Sequence, residues 1–320
     1  MSQSYYLNLD NFEVGTLTKY WLPIVNDGIG EPIRIPMMVA KGKEPGPVVG
    51  LTAALHGNEL NGIPVIQKVF QQLDLDTLKG TVVGVLTANV PGVLLGQRRF
   101  NDDVDLNWIA PGKPDGNLGQ IYMHRILYGV VKRFDTFIDL HTVSFGRASS
   151  HYIFADMTDP ETATLAQLQN PAIIVHSKPN LITLRGQAAH HGIKTITAEL
   201  KDPYLFQDDV IEEATVGIKN VLVHLKMQPG TIRPPVEPIV LCEKSSWLFT
   251  DEGGLHTIHV NIGDFIKKGD LIAEVKSIFN ESIKTYHSPN DGIVVAINTN
   301  PVGQAGSRTI HLGFGPTIMK

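Results

Sequence analysis

Four short apolar runs constrain the fold of this 320-residue chain more than any other feature. They are "PVVGLTAAL" (47–55), "TVVGVLTAN" (81–89), "FDTFIDL" (134–140) and "GIKTITAEL" (192–200). Each is too short for an ordinary helix and too evenly apolar for a strand with one wet face, so each reads as a strand buried on both sides. Between them, "GIPVIQKVFQQLDL" and "NLGQIYMHRILYGVVKRF" space their apolar residues at the helical period, and "DDVIEEATVGIKNVLVHLKM" (208–227) does so after the last run. Strand and helix in alternation predict an α/β domain over residues 1–230, with a mostly parallel or mixed sheet flanked by helices.

The texture then changes. "MQPGTIRPPVEP" (227–238) holds four prolines, which fix φ and remove backbone donors, so residues 231–239 read as an extended connector. Residues 240–320 are short β-rich runs punctuated by Gly, Pro and Asn-Asp, which predict a small all-β, barrel-like domain. Its "VNIGDFIKKGDLIAEV" followed by "HSPNDGIVVAI" resembles a lipoyl or biotinyl barrel. The expected hairpin tip, "FNES" (279–282), has no lysine to modify, and Lys284 is expected in the returning strand. A lid or a homo-oligomer contact is therefore the expected role of this domain.

Composition narrows the function classes. With 42% hydrophobic and 18% charged residues and a mean hydropathy near zero, the chain has the material for a substantial core. A net charge of −5 without any long basic run argues against nucleic acid and anionic membrane as partners. The single cysteine, Cys242, excludes an internal disulfide and fits a reducing compartment. The first residues lack the basic and apolar regions of a secretory signal, and no run approaches 18 apolar residues, so a cytoplasmic protein is expected.

Chemistry collects where such strands end. His56 and Glu59 follow the first run in "AALHGNELNG", His141 follows the third in "FIDLHT", and Glu199 closes the fourth in "ITAELKD". In open α/β sheets, functional groups gather beyond the carboxyl ends of the strands. Two imidazoles and a carboxylate are ligands that Zn²⁺ accepts, and three protein ligands leave a fourth position open for water. A carboxylate at the end of a neighbouring strand, Glu199, is placed to act as general base. The spacing is not that of the H-E-x-x-H metalloprotease helix, and "NDDVD" (101–105) lacks the glycine and terminal glutamate of an EF-hand. His256 and His259 sit three apart in a β-rich run and diverge, and His190 and His191 lie near a helix end, so both pairs read as structural.

"HGNELNG", "RRFNDDVDLN", "PG" (111–112), "FIDLHT" and "GIKTITAEL" occur in the order found in the succinylglutamate desuccinylase/aspartoacylase family, of the zinc-carboxypeptidase-like fold, and residues 45–225 resemble it. The resemblance implies one Zn²⁺ per chain on His56, Glu59 and His141, with Glu199 as general base. It implies that Arg99, or its neighbour Arg98, polarises the scissile carbonyl, that Asp105 orients a ligating histidine, and that Asn107 binds substrate. It also implies a role for Arg185, in "LITLRGQAAHHG", in substrate recognition. One departure is plain: where the family follows "DLN" with an arginine that pairs with a substrate carboxylate, this chain has Trp108. An indole offers a flat apolar wall and no charge. The expected function is zinc-dependent hydrolysis of the amide bond of a small N-acylated amino acid or amine. A metallocarboxypeptidase-type peptidase and a non-catalytic, zinc-stabilised binding protein are the alternatives.

Overall fold

The computed structural model describes residues 5–319. Its centre is a ten-stranded mixed sheet in the order β1-β2-β4-β3-β5-β9-β7-β8-β10-β19. The strands are β1 (Thr16–Asn26), β2 (Pro32–Lys41), β3 (Glu44–Ala53), β4 (Lys79–Val85), β5 (Thr136–His141), β7 (His151–Ala155), β8 (Ile173–His176), β9 (Lys194–Leu200), β10 (Val240–Cys242) and β19 (Thr317–Ile318), with the short β6 (Arg147–Ser149) lying outside this sheet. The four apolar runs are the parallel heart, β4-β3-β5-β9, and every residue of β5 is buried. Around this heart, β2 runs antiparallel to β4 and β7 antiparallel to β9.

Helices cover both faces, which is why the central strands are apolar on both sides. Val65, Ile66 and Val69 of α1 (Gly62–Gln71), Leu165 of α4 (Pro160–Leu168) and Ile218 and Val221 of α6 (Asp208–His224) pack with Val49, Leu51, Ala53, Ile138 and Leu140. Tyr122, Met123 and Ile126 of α3 (Leu118–Gly129) and Leu184 and Ala188 of α5 (Leu184–His190) pack with Phe137 and Val83 on the other face. The remaining helix, α2 (Val90–Leu94), is short. Alternation along β5 therefore sends Ile138 and Leu140 to one layer and Phe137, Asp139 and His141 to the other.

The C-terminal strands are β11 (Lys244–Phe249), β12 (Gly254–Ile258), β13 (Phe265–Ile266), β14 (Leu271–Lys276), β15 (Ser282–His287), β16 (Gly292–Asn298), β17 (Val302–Gly303) and β18 (Arg308–Phe314). They form two sheets, β11-β18-β16-β13 and β15-β14-β12-β17, that share the core of Ile266, Ile272, Ala273, Val294, Ile310 and Leu312. This region is stitched to the large sheet in two ways. β10 extends that sheet in parallel with β8 and carries β19 beside it, while β6 pairs antiparallel with β16. The proline-rich connector has no regular structure, but Arg233 is held by its backbone to the Asn220 side chain of α6. Lys284 lies within β15, ion-paired to Asp251. Among the described residues, no helix is long and apolar enough to cross a membrane.

Candidate active site

Register brings the polar strand ends together. Within the parallel set, Ala53 of β3 pairs with Leu140 of β5, and His141 pairs with Glu199 of β9. The chain leaves β3 through Ala54 at φ 52 and turns into the loop that carries His56 and Glu59 before α1 begins. Gly57 is required in that loop, because a Cβ there would lie 2.0 Å from the Gly92 carbonyl carbon and 2.3 Å from Val93 N.

The three predicted ligands meet. His56, Glu59 and His141 are all buried, and their ligand atoms lie within 4.8 Å of one another. His56 Nδ1 is 2.9 Å from Glu59 Oε1, and His141 Nδ1 is 2.9 Å from Glu59 Oε2. The outer nitrogens are anchored by carboxylates: His56 Nε2 lies 3.1 Å from Asp105 Oδ1, and His141 Nε2 lies 3.0 Å from Asp139 Oδ2. Asp139 is held in turn by the Thr52 hydroxyl, from the paired position on β3. Such carboxylate–histidine pairs fix the tautomer, putting the proton on Nε2 and the lone pair on Nδ1.

This arrangement fits a divalent cation. The two Nδ1 atoms lie 3.2 Å apart, a separation at which two lone pairs repel unless a proton or a cation sits between them. The electrostatics agree. Burial works against the charge on Glu59, but His56 and His141 overcome it and hold the carboxyl well below its usual range. Burial likewise opposes the charge on Asp105, yet His56 and Arg98 bring it down to about 2. Burial alone would lower His141, but Asp139 and Glu59 raise it well above its ordinary value. The pocket therefore demands positive charge, and His, Glu and His are a donor set that zinc accepts.

Glu199 is different from these carboxylates. The residue is only half-buried, but its Oε2 is buried and, among the described residues, has no hydrogen-bond partner. Burial, with Glu59 and Asp139 adding to it, outweighs His141 and Arg98 and pushes the carboxyl up to about 8. The Asn58 side chain, in the loop between His56 and Glu59, also lacks partners for both its polar atoms. Unpaired buried polar atoms of this kind mark a place meant for a polar occupant.

The other expected residues sort less simply. Arg98, not Arg99, enters the cluster: its Nη1 donates to Glu59 Oε1 (2.8 Å) and its Nε to Asp105 Oδ2 (2.9 Å). Arg99 turns outward, half exposed, and pairs with Asp103 at 3.0 Å, which differs from the role expected for it. Asp105 does hold a ligating histidine. Asn107 is drawn into structure, its Oδ1 accepting from Leu184 N (3.0 Å) at the start of α5. Arg185 is buried and donates to Ser177 O (3.2 Å) and Ser177 Oγ (3.0 Å). Trp108 is 54% exposed and stands at the surface rather than in the core. Asp139 and Thr52 escaped the sequence reading. Asp139 sits two residues before His141, where strand alternation puts both on one face, and that spacing was the available signal.

The layered sheet thus carries a buried His-Glu-His cluster that could hold a metal ion, with a strand-end glutamate beyond its carboxyl edge. Residues 45–225 match the model of the succinylglutamate desuccinylase/aspartoacylase catalytic domain, and the chain belongs to that family, whose members hydrolyse amide bonds. It is 28% identical over 293 residues to the N-alpha-acetyl-L-2,4-diaminobutyric acid deacetylase of Halomonas elongata, covering 86% of this chain and 84% of that one. The fold matches the product-bound ectoine utilization protein EutE (DoeB) of Ruegeria pomeroyi with a TM-score of 0.84 at 20% identity, over 93% of this chain and 95% of the other. It equally matches a succinylglutamate desuccinylase/aspartoacylase of Rhodobacter sphaeroides, with a TM-score of 0.84 at 19% identity, over 95% and 98% of the two chains.

Proposed function

We propose that this chain is a zinc-dependent deacylase that cleaves the amide bond of a small N-acylated amino acid. The observation that carries the reading is the buried, partner-free Oε2 of Glu199, in register beside a His56–Glu59–His141 cluster whose outer nitrogens are anchored by Asp105 and Asp139. A structural metal site has no use for an unpaired carboxylate, and structural zinc sites are closed by four protein ligands.

When bound to these ligands, zinc supplies Lewis acidity, which makes water a competent nucleophile near neutral pH. Glu199 takes the proton from the attacking water and returns it to the departing amine. A carboxyl with a raised pKa suits a group that must do both. Arg98 lies against Glu59 and Asp105, with no hydrogen bond from its Nη2 among the described residues, and holds the negative charge that develops on the carbonyl oxygen. Asp105 and Asp139 keep both imidazoles in the ligating tautomer. The Halomonas relative, whose name gives an N-acetylated diamino acid as its substrate, supports a small N-acyl amino acid here.

The test is hydrolysis of a panel of N-acetyl and N-succinyl amino acids by zinc-loaded protein, with chelator-stripped protein alongside. Amine release that disappears with the metal and returns on zinc addition is the expected result. No release from any member of the panel would contradict the proposal.

A further inference from the structure

The site holds several arginines, and all but one of those near the cluster have partners. Arg98 serves Glu59 and Asp105, Arg99 pairs with Asp103, and Arg185 is bound to Ser177. Arg147 is the exception. It is half-buried, and among the described residues no carboxylate lies within ion-pair distance of it. Its guanidinium lies over the Trp247 ring, 5.2 Å from the centroid.

The position of Arg147 is built, not incidental. It follows Gly146, at φ 71, whose carbonyl accepts from Thr299 N at 2.8 Å. It then opens β6, opposite Asn298 of β16, and β6 is tied back to the large sheet through Ser149 N, which donates to Asp202 Oδ1 at 3.1 Å. Trp247 stacks on His311 with centroids 5.1 Å apart and planes at 11°. The His311 ring lies 5.9 Å from that of Tyr152, and Tyr152 is the cross-strand partner of Glu199. A continuous path of rings thus leads from the general base to Arg147. Arg308 lies over the Trp247 ring at 5.8 Å and the Phe249 ring at 5.5 Å, and it too has no carboxylate within ion-pair distance among the described residues.

A half-buried guanidinium without an anion is costly, and here the neighbours make it worse. Burial first, and then the like charges of Arg308 and Arg98, outweigh the opposing effects of Tyr152 and Glu59 and bring Arg147 down to about 10. An anion at this spot relieves both penalties, and a planar fork of donors matches a carboxylate in two hydrogen bonds.

We infer that Arg147, backed by Trp247 of the C-terminal β region, receives the carboxylate of an N-acyl amino acid substrate. This rests on the deacylase reading and adds to it the side of the site on which the acid is recognised. It also makes the C-terminal region part of the site, since β16 and Trp247 hold the arginine that selects acids over amides. Trp108 then forms an apolar wall on the rim.

The test uses the full-length protein with Nα-acetyl-L-2,4-diaminobutyrate and its α-carboxamide as probes. Calorimetric binding to metal-free protein gives a readout independent of turnover, and kcat/KM of the zinc-loaded protein gives a second. Wild type is expected to bind the acid at least tenfold more tightly than the amide. Arg147→Ala should bring the two within about threefold, by weakening the acid and leaving the amide where it was. Arg147→Lys, which keeps the charge and loses the fork, should fall between. Unchanged preference in Arg147→Ala, or equal binding of acid and amide by wild type, including no binding of either, overturns the inference. A wild type that binds the acid selectively yet hydrolyses no N-acyl compound sinks the deacylase reading instead and leaves the assignment of Arg147 standing.

Discussion

Asp139→Asn isolates one charge in the metal cradle. The Asp139 carboxylate is buried, accepts from His141 Nε2 at 3.0 Å and from the Thr52 hydroxyl, and among the described residues has no other hydrogen-bond partner. Asparagine keeps the shape: its Oδ1 can still accept from His141, while its amide donates to the Thr52 oxygen. What is lost is the charge that raises the basicity of the imidazole. Hydrogen bonds to charged groups contribute about 1.5–3 kcal/mol against roughly 0.5–1.5 for neutral ones, so the difference is about 1–1.5 kcal/mol. That corresponds to roughly a tenfold weaker metal site, within the range of about 10–100-fold seen when the outer partner of a ligating histidine is changed. Competition with a fluorescent zinc chelator reads it directly, and a thermal melt of the metal-free protein checks the fold. Thr52→Val, which removes a donor but no charge, should cost less than Asp139→Asn. Zinc affinity within about twofold of wild type in Asp139→Asn, or a larger effect from Thr52→Val, would refute the reasoning.

Three further outcomes follow from the geometry. Gly57→Ala should lower thermal stability by about 1–3 kcal/mol and reduce zinc content together, because its Cβ meets the Gly92 backbone rather than a side chain that can move; wild-type values for both would contradict this. Ending the chain at Met227 removes β10 and β16, exposes the edge of β8 with Ile173 and Val175, and should give insoluble or strongly destabilised protein; a soluble product with the wild-type melting temperature would show that the C-terminal strands are dispensable. Trp108→Arg should raise the ratio of kcat/KM for an N-acyl acid over its amide by about fivefold, since the new guanidinium stands half exposed on the rim and contributes only about 1 kcal/mol; an unchanged ratio would place that wall away from the substrate.

The α/β sheet and the strand-end cluster were legible because buried parallel strands leave an unmistakable apolar run, and a His or Glu at the end of one is costly without compensation. The run 192–200 became β9 (Lys194–Leu200), and 134–140 became β5 (Thr136–His141), so Glu199 and His141 were placed to within a residue or two. Less was visible at the edges. β1 mixes Lys, Tyr, Trp and Pro because much of it is solvent-exposed, and half-exposed edge strands carry a weak period. β10 is three residues that follow a proline-rich connector, and nothing local says that they join the large sheet rather than the strands after them. Arg98 and Arg99 are neighbours of the same type, and only the turn of the chain decides which one faces Glu59. Arg147 gave no signal at all in "SFGRASS", because its importance lies in having no partner, which is a property of its surroundings.

Metal binding and proton transfer reside in different side chains, and Glu199→Gln tests that separation most directly. Zinc content by elemental analysis and amine release are measured on the same preparation. General acid–base groups contribute about 10²–10⁴-fold, so zinc should stay near the wild-type level while turnover falls by at least about a hundredfold. Turnover that stays near wild type with the metal in place would contradict it.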